Sequence, residues 1–441
     1  MRLVRPFRLR DFRLLVLSNG LSSLGDELAL VALTIKVFDV SHGSGIAVAA
    51  VLLAGVIPLV VFAPLSGLIV DRTETTGTLA VASAIQAGIA VGLAYAHPVW
   101  LIVVLCFLLG SVASVASPAV FAIVPSAIDE EDLTEANANM ETARYIGMVL
   151  GPILAVAFAE GALLVDAITF LVIASAAASL TVRRPPEPVP EGGRPKGEAR
   201  RGFAFIRSDR VLLIGVVAIS FAVFFGTIDN VAEVFFARDP TLLNAGNWGY
   251  GGLAATWLIG MVIGAGWVAR KIPDGRLAPS LLVATVVGGT AVAIAAGFPA
   301  IALALVMFVI GGIANGVASV SIRSLIHHRV PSDLRGRAFA AFFAVAFAGQ
   351  VAATAIGGIL LATLPSSQDV LLIGGFGSIV VGLIGLAWFA ALPRSARVSK
   401  VVVVPDTEPV ERLVVFVRDI TPPLDSQIER QEVLPSGDPS A

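Results

Sequence analysis

Long apolar runs alternate with short polar breaks along the chain. Twelve runs reach the roughly 20 mostly apolar residues that a bilayer crossing takes: 12–38, 45–70, 77–96, 99–124, 137–159, 161–182, 211–237, 249–269, 277–297, 299–322, 338–363 and 369–393. Backbone N–H and C=O groups find no water in hydrocarbon and must bond within their own segment, so each run predicts a helix. Between the sixth and seventh runs, "RRPPEPVPEGGRPKGEARRGFAFIRSDR" is basic, rich in Pro and Gly, and too polar for the bilayer. It reads as a linker. The expected organisation is a six-helix half at 1–182, a cytoplasmic linker at 183–210, a second six-helix half at 211–393 and a flexible cytoplasmic tail at 394–441. In the tail, "KVVVV" and "RLVVFV" are able to pair as a short hairpin.

Composition agrees with that pattern. The 441 residues are 56% hydrophobic and 14% charged, with mean hydropathy +0.89, whereas soluble domains carry about 25% charged residues. The fold class is therefore an all-α membrane protein. With the N-terminus inside, 27 of the 30 Lys and Arg fall on the cytoplasmic side, Lys36 and Arg238 lie outside, and Arg144 sits within a span. That asymmetry predicts a multi-pass protein of the cytoplasmic membrane with both termini cytoplasmic. The opening "MRLVRPFRLRDFRLL" resembles the basic region of a signal peptide, but the apolar run behind it is too long and no small-residue cleavage site follows. Its helix is expected to be retained. The one cysteine, Cys106, lies within a span, so neither a disulfide framework nor a thiol metal site is expected.

An internal repeat joins the halves. "VPS" at Val124 recurs at Val330, a shift of 206, and the same shift carries "GPIL" at Gly151 onto "GGIL" at Gly357. The fourth and fifth helices thus correspond to the tenth and eleventh, giving two pseudo-symmetric halves. Parallel repeats of this kind are used by secondary transporters.

Charges inside the spans carry the candidate chemistry, because an unpaired charge there costs at least ~2.5 kcal/mol and marks a functional site by default. Asp26 in "LSSLGDELALVAL" lies ~21 Å along its helix from Phe12 at 1.5 Å per residue. Ser18, Asn19 and Ser22 precede it as a polar stripe suited to a cavity, which makes it a candidate for proton or substrate coupling. Glu27 points about 100° away. Glu141 and Arg144, three residues apart on one helix face, form either a coupling pair or a static structural one. The repeat places Phe347 and Gln350 at their equivalents, so the second half lacks both charges. Asp229 is a further coupling candidate, although with Glu233 it equally reads as a solvated acid near the outer mouth. Gly147, Gly151 and Ala155 recur every four residues beside Pro152, a small-residue stripe that lets another helix approach closely. Ser111, Ser114, Ser117, Thr227, Asn230, Asn315 and Ser319 are the polar positions offered by helices four, seven and ten, among Phe, Val and Ala.

Two loops differ in sign. Under the shift of 206, Asp129 falls on Arg335 and Glu131 on Arg337, an acidic loop opposite a basic one, which reads either as a cytoplasmic gate or as two solvated loops. Other classes find little footing. There is no Gly-x-x-x-x-Gly-Lys-Ser/Thr loop for an ATPase and no HExxH or Gly-x-Ser-x-Gly for an enzyme. His42, His97, His327 and His328 fall near loops or helix ends, so no metal, cofactor or nucleic acid is expected. A non-transporting membrane receptor or scaffold is the alternative of another class.

Three passages carry a family resemblance. "GLIVDR" (Gly67, Asp71 and Arg72) resembles the Gly-x-x-x-Asp-Arg conformational-switch signature of the major facilitator superfamily. "GMVLGPILA", from Gly147 to Ala155, resembles its antiporter signature, with Ala155 in place of the final glycine. "IVPSAIDEEDLTEANAN" and "HRVPSDLRGRAFA" resemble the connections before helices five and eleven. Residues 7 to 393 resemble most the macrolide-efflux and siderophore-export branch. The resemblance implies a monomeric secondary transporter in the lipid bilayer, exporting hydrophobic or amphipathic small molecules against a coupling proton, with an endogenous lipid or siderophore as the alternative cargo. It also implies that helices one, four, seven and ten line the path. After Arg72 the family continues with glycine and two basic residues, whereas this chain has "TETT". The arginine of many proton-linked exporters in helix four, which would fall near Cys106, is absent.

Overall fold

A computed structural model describes residues 6–128, 132–158, 161–183 and 198–393. The chain folds into helices α1 (Arg10–Val40), α2 (Gly45–Val61), α3 (Ala63–Arg72), α4 (Thr75–Tyr95), α5 (Val99–Ala127), α6 (Leu133–Phe158) and α7 (Ala162–Ala178). After the linker come α8 (Glu198–Ser208), α9 (Arg210–Arg238), α10 (Gly246–Ile263), α11 (Leu277–Gly297), α12 (Ile301–Arg329), α13 (Ser332–Thr363) and α14 (Ser367–Ala391). Nine helices among the described residues are long and apolar enough to cross a bilayer. The other three expected crossings are α1, the pair α2–α3, and the 17-residue α7. The second crossing is split at Phe62 because Pro58 and Pro64 each remove a backbone donor. The eighth runs on from α10 through a π-turn, Gly264–Val268.

The helix pairings repeat between the halves. In the first half α1 packs on α6 and α7, α4 on α5 and α7, and α2 on α5. In the second, α9 packs on α13 and α14, α11 on α12 and α14, and α10 on α12. The partners across the halves also correspond, α2 with α13 and α6 with α10. A repeat visible in two short strings thus extends over the whole bundle.

Contacts between the halves gather at the distal end, where α1 turns into α2. There Gly45 faces Leu361, Gly251 faces Val156, and Phe38 meets Phe235 edge-on at 4.8 Å. At the opposite, basic end, described links within each half include the following. Asp11 accepts from the Thr181 hydroxyl at 2.6 Å and the Thr181 and Val182 N–H groups at 2.8 Å, tying the start of α1 to the end of α7. Asp209 caps α9 through the Val211 and Leu212 N–H groups and pairs with buried Arg329 at 2.8 Å.

Two local expectations change. The last part of the expected linker, 183–210, forms α8, which buries Ile206 against the second half and sets Gly202 on the Arg337 carbonyl. Burial of one apolar face outweighs the overall polarity of that stretch. The "TETT" after Arg72 has a structural role of its own. Glu74 accepts from the Thr76 and Gly77 N–H groups, capping α4, and lies 3.7 Å from Arg183. The expected tail hairpin, Asp129 and Glu131 lie outside the described residues.

Candidate functional site

A cavity of about 1240 Å³, including its open mouth, lies within the second half. Its walls come from α9 through α14 and include Asp229, Asn230, Asn315, Ser319, Phe347 and Gln350. Four of these were already legible. Asn230, Asn315 and Ser319 lie on expected path-lining helices, and Asp229 is an expected coupling residue. Phe347 and Gln350 enter as the repeat equivalents of Glu141 and Arg144.

Glu141 and Arg144 meet in a bidentate pair. Arg144 Nε donates to Glu141 Oε2 at 2.9 Å and Nη2 to Oε1 at 2.5 Å. The guanidinium also lies 4.9 Å from the Tyr145 ring centre and reaches the Met148 sulfur at 3.3 Å. Both side chains are partly exposed, at 39% and 29%. Across the space between the halves, Arg323 on α12 lies within electrostatic reach of Glu141.

Asp26 is exposed on α1, next to Gly25, whose bare backbone packs against Asp166 on α7. The stripe before it is less uniform than the spacing implies. Ser18 and Asn19 are buried, and Asn19 Nδ2 donates to the Met140 carbonyl on α6 at 2.7 Å, so of the three only Ser22 shares the partly accessible surface. A short polar side chain next to a neighbouring helix finds a backbone acceptor there, which helical spacing alone does not reveal.

Asp166 on α7 is the residue that sequence reasoning missed. It is wholly buried, its Oδ2 has no hydrogen-bond partner among the described residues, and Asp26 lies within its electrostatic reach. Gly25 makes the room: an added Cβ there would meet Asp166 Oδ1 and lie 2.8 Å from the Thr169 hydroxyl. The signal was available, a lone carboxyl in an otherwise apolar run. Asp229 is not the solvated acid its distance along the helix suggests. It is 4% exposed, its Oδ1 has no hydrogen-bond partner among the described residues, and it presses against the bare backbone of Gly374 on α14. Both acids thus occupy equivalent helix pairs, α1–α7 and α9–α14, with the glycine and acid exchanged between partners.

Glu27 and Glu233 continue this group towards the centre. Glu27 is within electrostatic reach of Asp26 and of Arg144. Tyr250 on α10 is near Thr34 and within electrostatic reach of both Glu27 and Glu233. Carboxyls from both halves therefore converge around the distal interface.

The signatures divide by location. Gly147 and Gly151 press α6 onto α1: a Cβ on Gly147 would meet the Gly20 carbonyl, and one on Gly151 would lie 2.6 Å from Glu27 Cβ. Pro152 and Ala155 continue that buried face. Gly67, Asp71 and Arg72 close α3, with Arg72 exposed. Arg335 Nε donates to the Val330 carbonyl at 3.1 Å, and Arg337 follows on the first turns of α13. At the distal end Arg238 lies 2.6 Å from Asp39, without hydrogen-bond alignment, and 4.3 Å from the Phe38 ring centre. No group of three or more His, Cys, Asp or Glu among the described residues is placed to hold a metal.

The Arg238 contacts yield a prediction. In a Cys106→Ser background, Arg238→Ala is expected to speed thiol labelling of a cysteine at Thr34 by roughly the several-fold factor that one partly exposed pair plus a cation–π contact supplies. Unchanged labelling would show that these groups do not hold the distal end closed.

Known proteins place the chain in context. Residues 15–354 match the family model of the Major Facilitator Superfamily. An uncharacterized MFS-type transporter of Bacillus subtilis (strain 168), YfiS, is 24% identical over 394 residues, covering 84% of this chain and 91% of the relative. Among solved structures, the nucleoside transporter NupG superposes with TM-score 0.67 at 14% identity over 86% of this chain and 99% of that one. A bacterial homolog of the human lysosomal transporter Spinster, in an inward-facing and unoccupied conformation, gives TM-score 0.63 at 16% identity over 86% and 95%.

Proposed function

Since the chain belongs to the major facilitator superfamily, we propose that this membrane transporter exports hydrophobic or amphipathic small molecules by alternating access, in exchange for protons. The observation that carries the coupling is the set of carboxyls converging from both halves, with Asp26 accessible beside the buried, unpartnered Asp166. Each carboxyl can hold or release one proton. Water reaching Asp26 from one side and then the other would therefore carry protons through the same rearrangement that moves the cargo. The cavity of amides, hydroxyls and aromatic rings supports a cargo with a greasy body and few polar groups.

The distribution of basic residues supports cytoplasmic termini. The contacts gathered at the distal end then correspond to a carrier closed outside and open inside. In the opposite state, Asp129 and Glu131 are proposed to meet Arg335 and Arg337 at the cytoplasmic gate. The variant Asp129→Arg with Glu131→Arg is expected to shift the carrier inward-open, and adding Arg335→Asp with Arg337→Asp to restore it. A fourfold variant that equals the sum of its halves would refute the pairing.

Export itself is tested by comparing cells with and without the protein for compounds lost to the medium, before and after an uncoupler. Protein-dependent loss that stops with the uncoupler is the expected result. Loss that continues unchanged would overturn proton coupling.

A further inference from the structure

Among the described residues, Arg323 is the one cationic side chain lining the cavity of the second half. It is exposed into that space and makes no hydrogen bond or ion pair among the described residues. It lies six residues before the end of α12, about 9 Å inside the helix terminus. A guanidinium does not lose its proton in a protein, so this charge is permanent. Its electrostatic neighbour, Glu141, is already held by both prongs of Arg144. Arg323 therefore has its donors available.

The walls around it differ in chemistry. Asn315, Ser319 and Arg323 recur every four residues and form a polar stripe on α12, with the Ser319 hydroxyl 3.3 Å from Asn315 Oδ1. On α13, Phe343 and Phe347, with ring centres 6.2 Å apart, give an apolar surface to the same cavity, and Gln350 ends that strip. The acids nearby do not supply a counter-ion in contact with Arg323. Asp229 is buried against Gly374, and Glu27 faces α6 and Arg144.

We infer that the cavity selects amphipathic organic anions, with a carboxylate or similar oxyanion on Arg323 and an apolar, ring-bearing body along Phe343 and Phe347. The carboxylate would accept from two guanidinium N–H groups while the Asn315 amide N–H, its Oδ1 accepting from the Ser319 hydroxyl, offers a neutral hydrogen bond beside it. The ring would lie where an arginine merely extending to water would leave no recognition surface. This inference rests on the export reading only for its direction of movement, because binding requires no transport.

The experiment uses the purified full chain and three probes sharing one body: 1-naphthoate, 1-naphthylmethylammonium and 1-naphthylmethanol. Binding is followed by equilibrium dialysis in detergent without any gradient. Naphthoate is expected to bind more tightly than the other two. Arg323→Gln should weaken naphthoate roughly tenfold, the scale of a charge-assisted contact, while leaving naphthylmethanol unchanged, which also shows that the variant is folded. Arg323→Lys should recover part of the loss, and Phe347→Ala should weaken all three. If wild type binds the ammonium probe as tightly as naphthoate, or Arg323→Gln leaves naphthoate affinity unchanged, the inference fails. A chain that binds naphthoate through Arg323 but moves nothing would refute export while leaving the anion site intact.

Discussion

Asp26→Asn is expected to abolish uncoupler-sensitive export while folded protein remains in the membrane. The amide keeps the size of the side chain and its place on α1 but cannot gain and lose a proton, so cargo movement loses its link to the gradient. The effect should approach complete loss of gradient-driven accumulation, while cargo exchange without a gradient persists. Glu27→Gln should be milder, because Glu27 packs its Cβ against Gly151 and has Arg144 within reach. Asp166→Asn separates two arrangements. If the proton is shared between α1 and α7, this variant should also impair coupling; if Asp26 acts alone, it should not. Normal gradient-driven transport by Asp26→Asn would remove Asp26 from the mechanism.

The second large effect is on packing. Gly147→Ala is expected to destabilise the bundle by ~1–3 kcal/mol, the usual cost of forcing a methyl into a filled contact, and Gly147→Leu to prevent accumulation of folded protein. The reason is local: the added carbon would meet the Gly20 carbonyl and lie 2.8 Å from the Leu24 N. A backbone neighbour cannot swing away as a flexible side chain can. Gly88→Ala is the control, since nothing lies within 4 Å of its Cβ position and alanine favours the helix. Thermal unfolding in one detergent compares them. Equal stability of the Gly147→Ala and Gly88→Ala proteins would contradict the close contact between α1 and α6.

Much of this arrangement was legible in the sequence, and the failures have physical causes. The apolar runs located the helices because hydrocarbon imposes one solution on the backbone. The three-residue spacing of Glu141 and Arg144 sufficed for their pair, since it depends on one helix alone. Where a second helix decides, spacing misled. Counting along α9 placed Asp229 at a solvated mouth, but the missing side chain of Gly374, 145 positions away in the sequence, gives it a buried site. Asn19 was assigned to a cavity stripe, and its partner is a carbonyl on α6. Asp166 carries a signal in the sequence, a lone acid in an apolar run, but its nearness to Asp26 depends on how α1 and α7 cross. Arg323 was set beyond the tenth run, whose apolar pattern stops at Ile322, while the helix itself continues to Arg329.

The central claim is that proton movement and cargo movement are one process in this fold. Proteoliposomes containing the purified full chain, preloaded with a pH-sensitive dye and exposed to a cargo identified by the cell comparison, measure it directly. The account predicts that cargo added on one side drives protons the opposite way in wild type, with no such flux in Asp26→Asn. Cargo transport by wild type without any proton flux would contradict it.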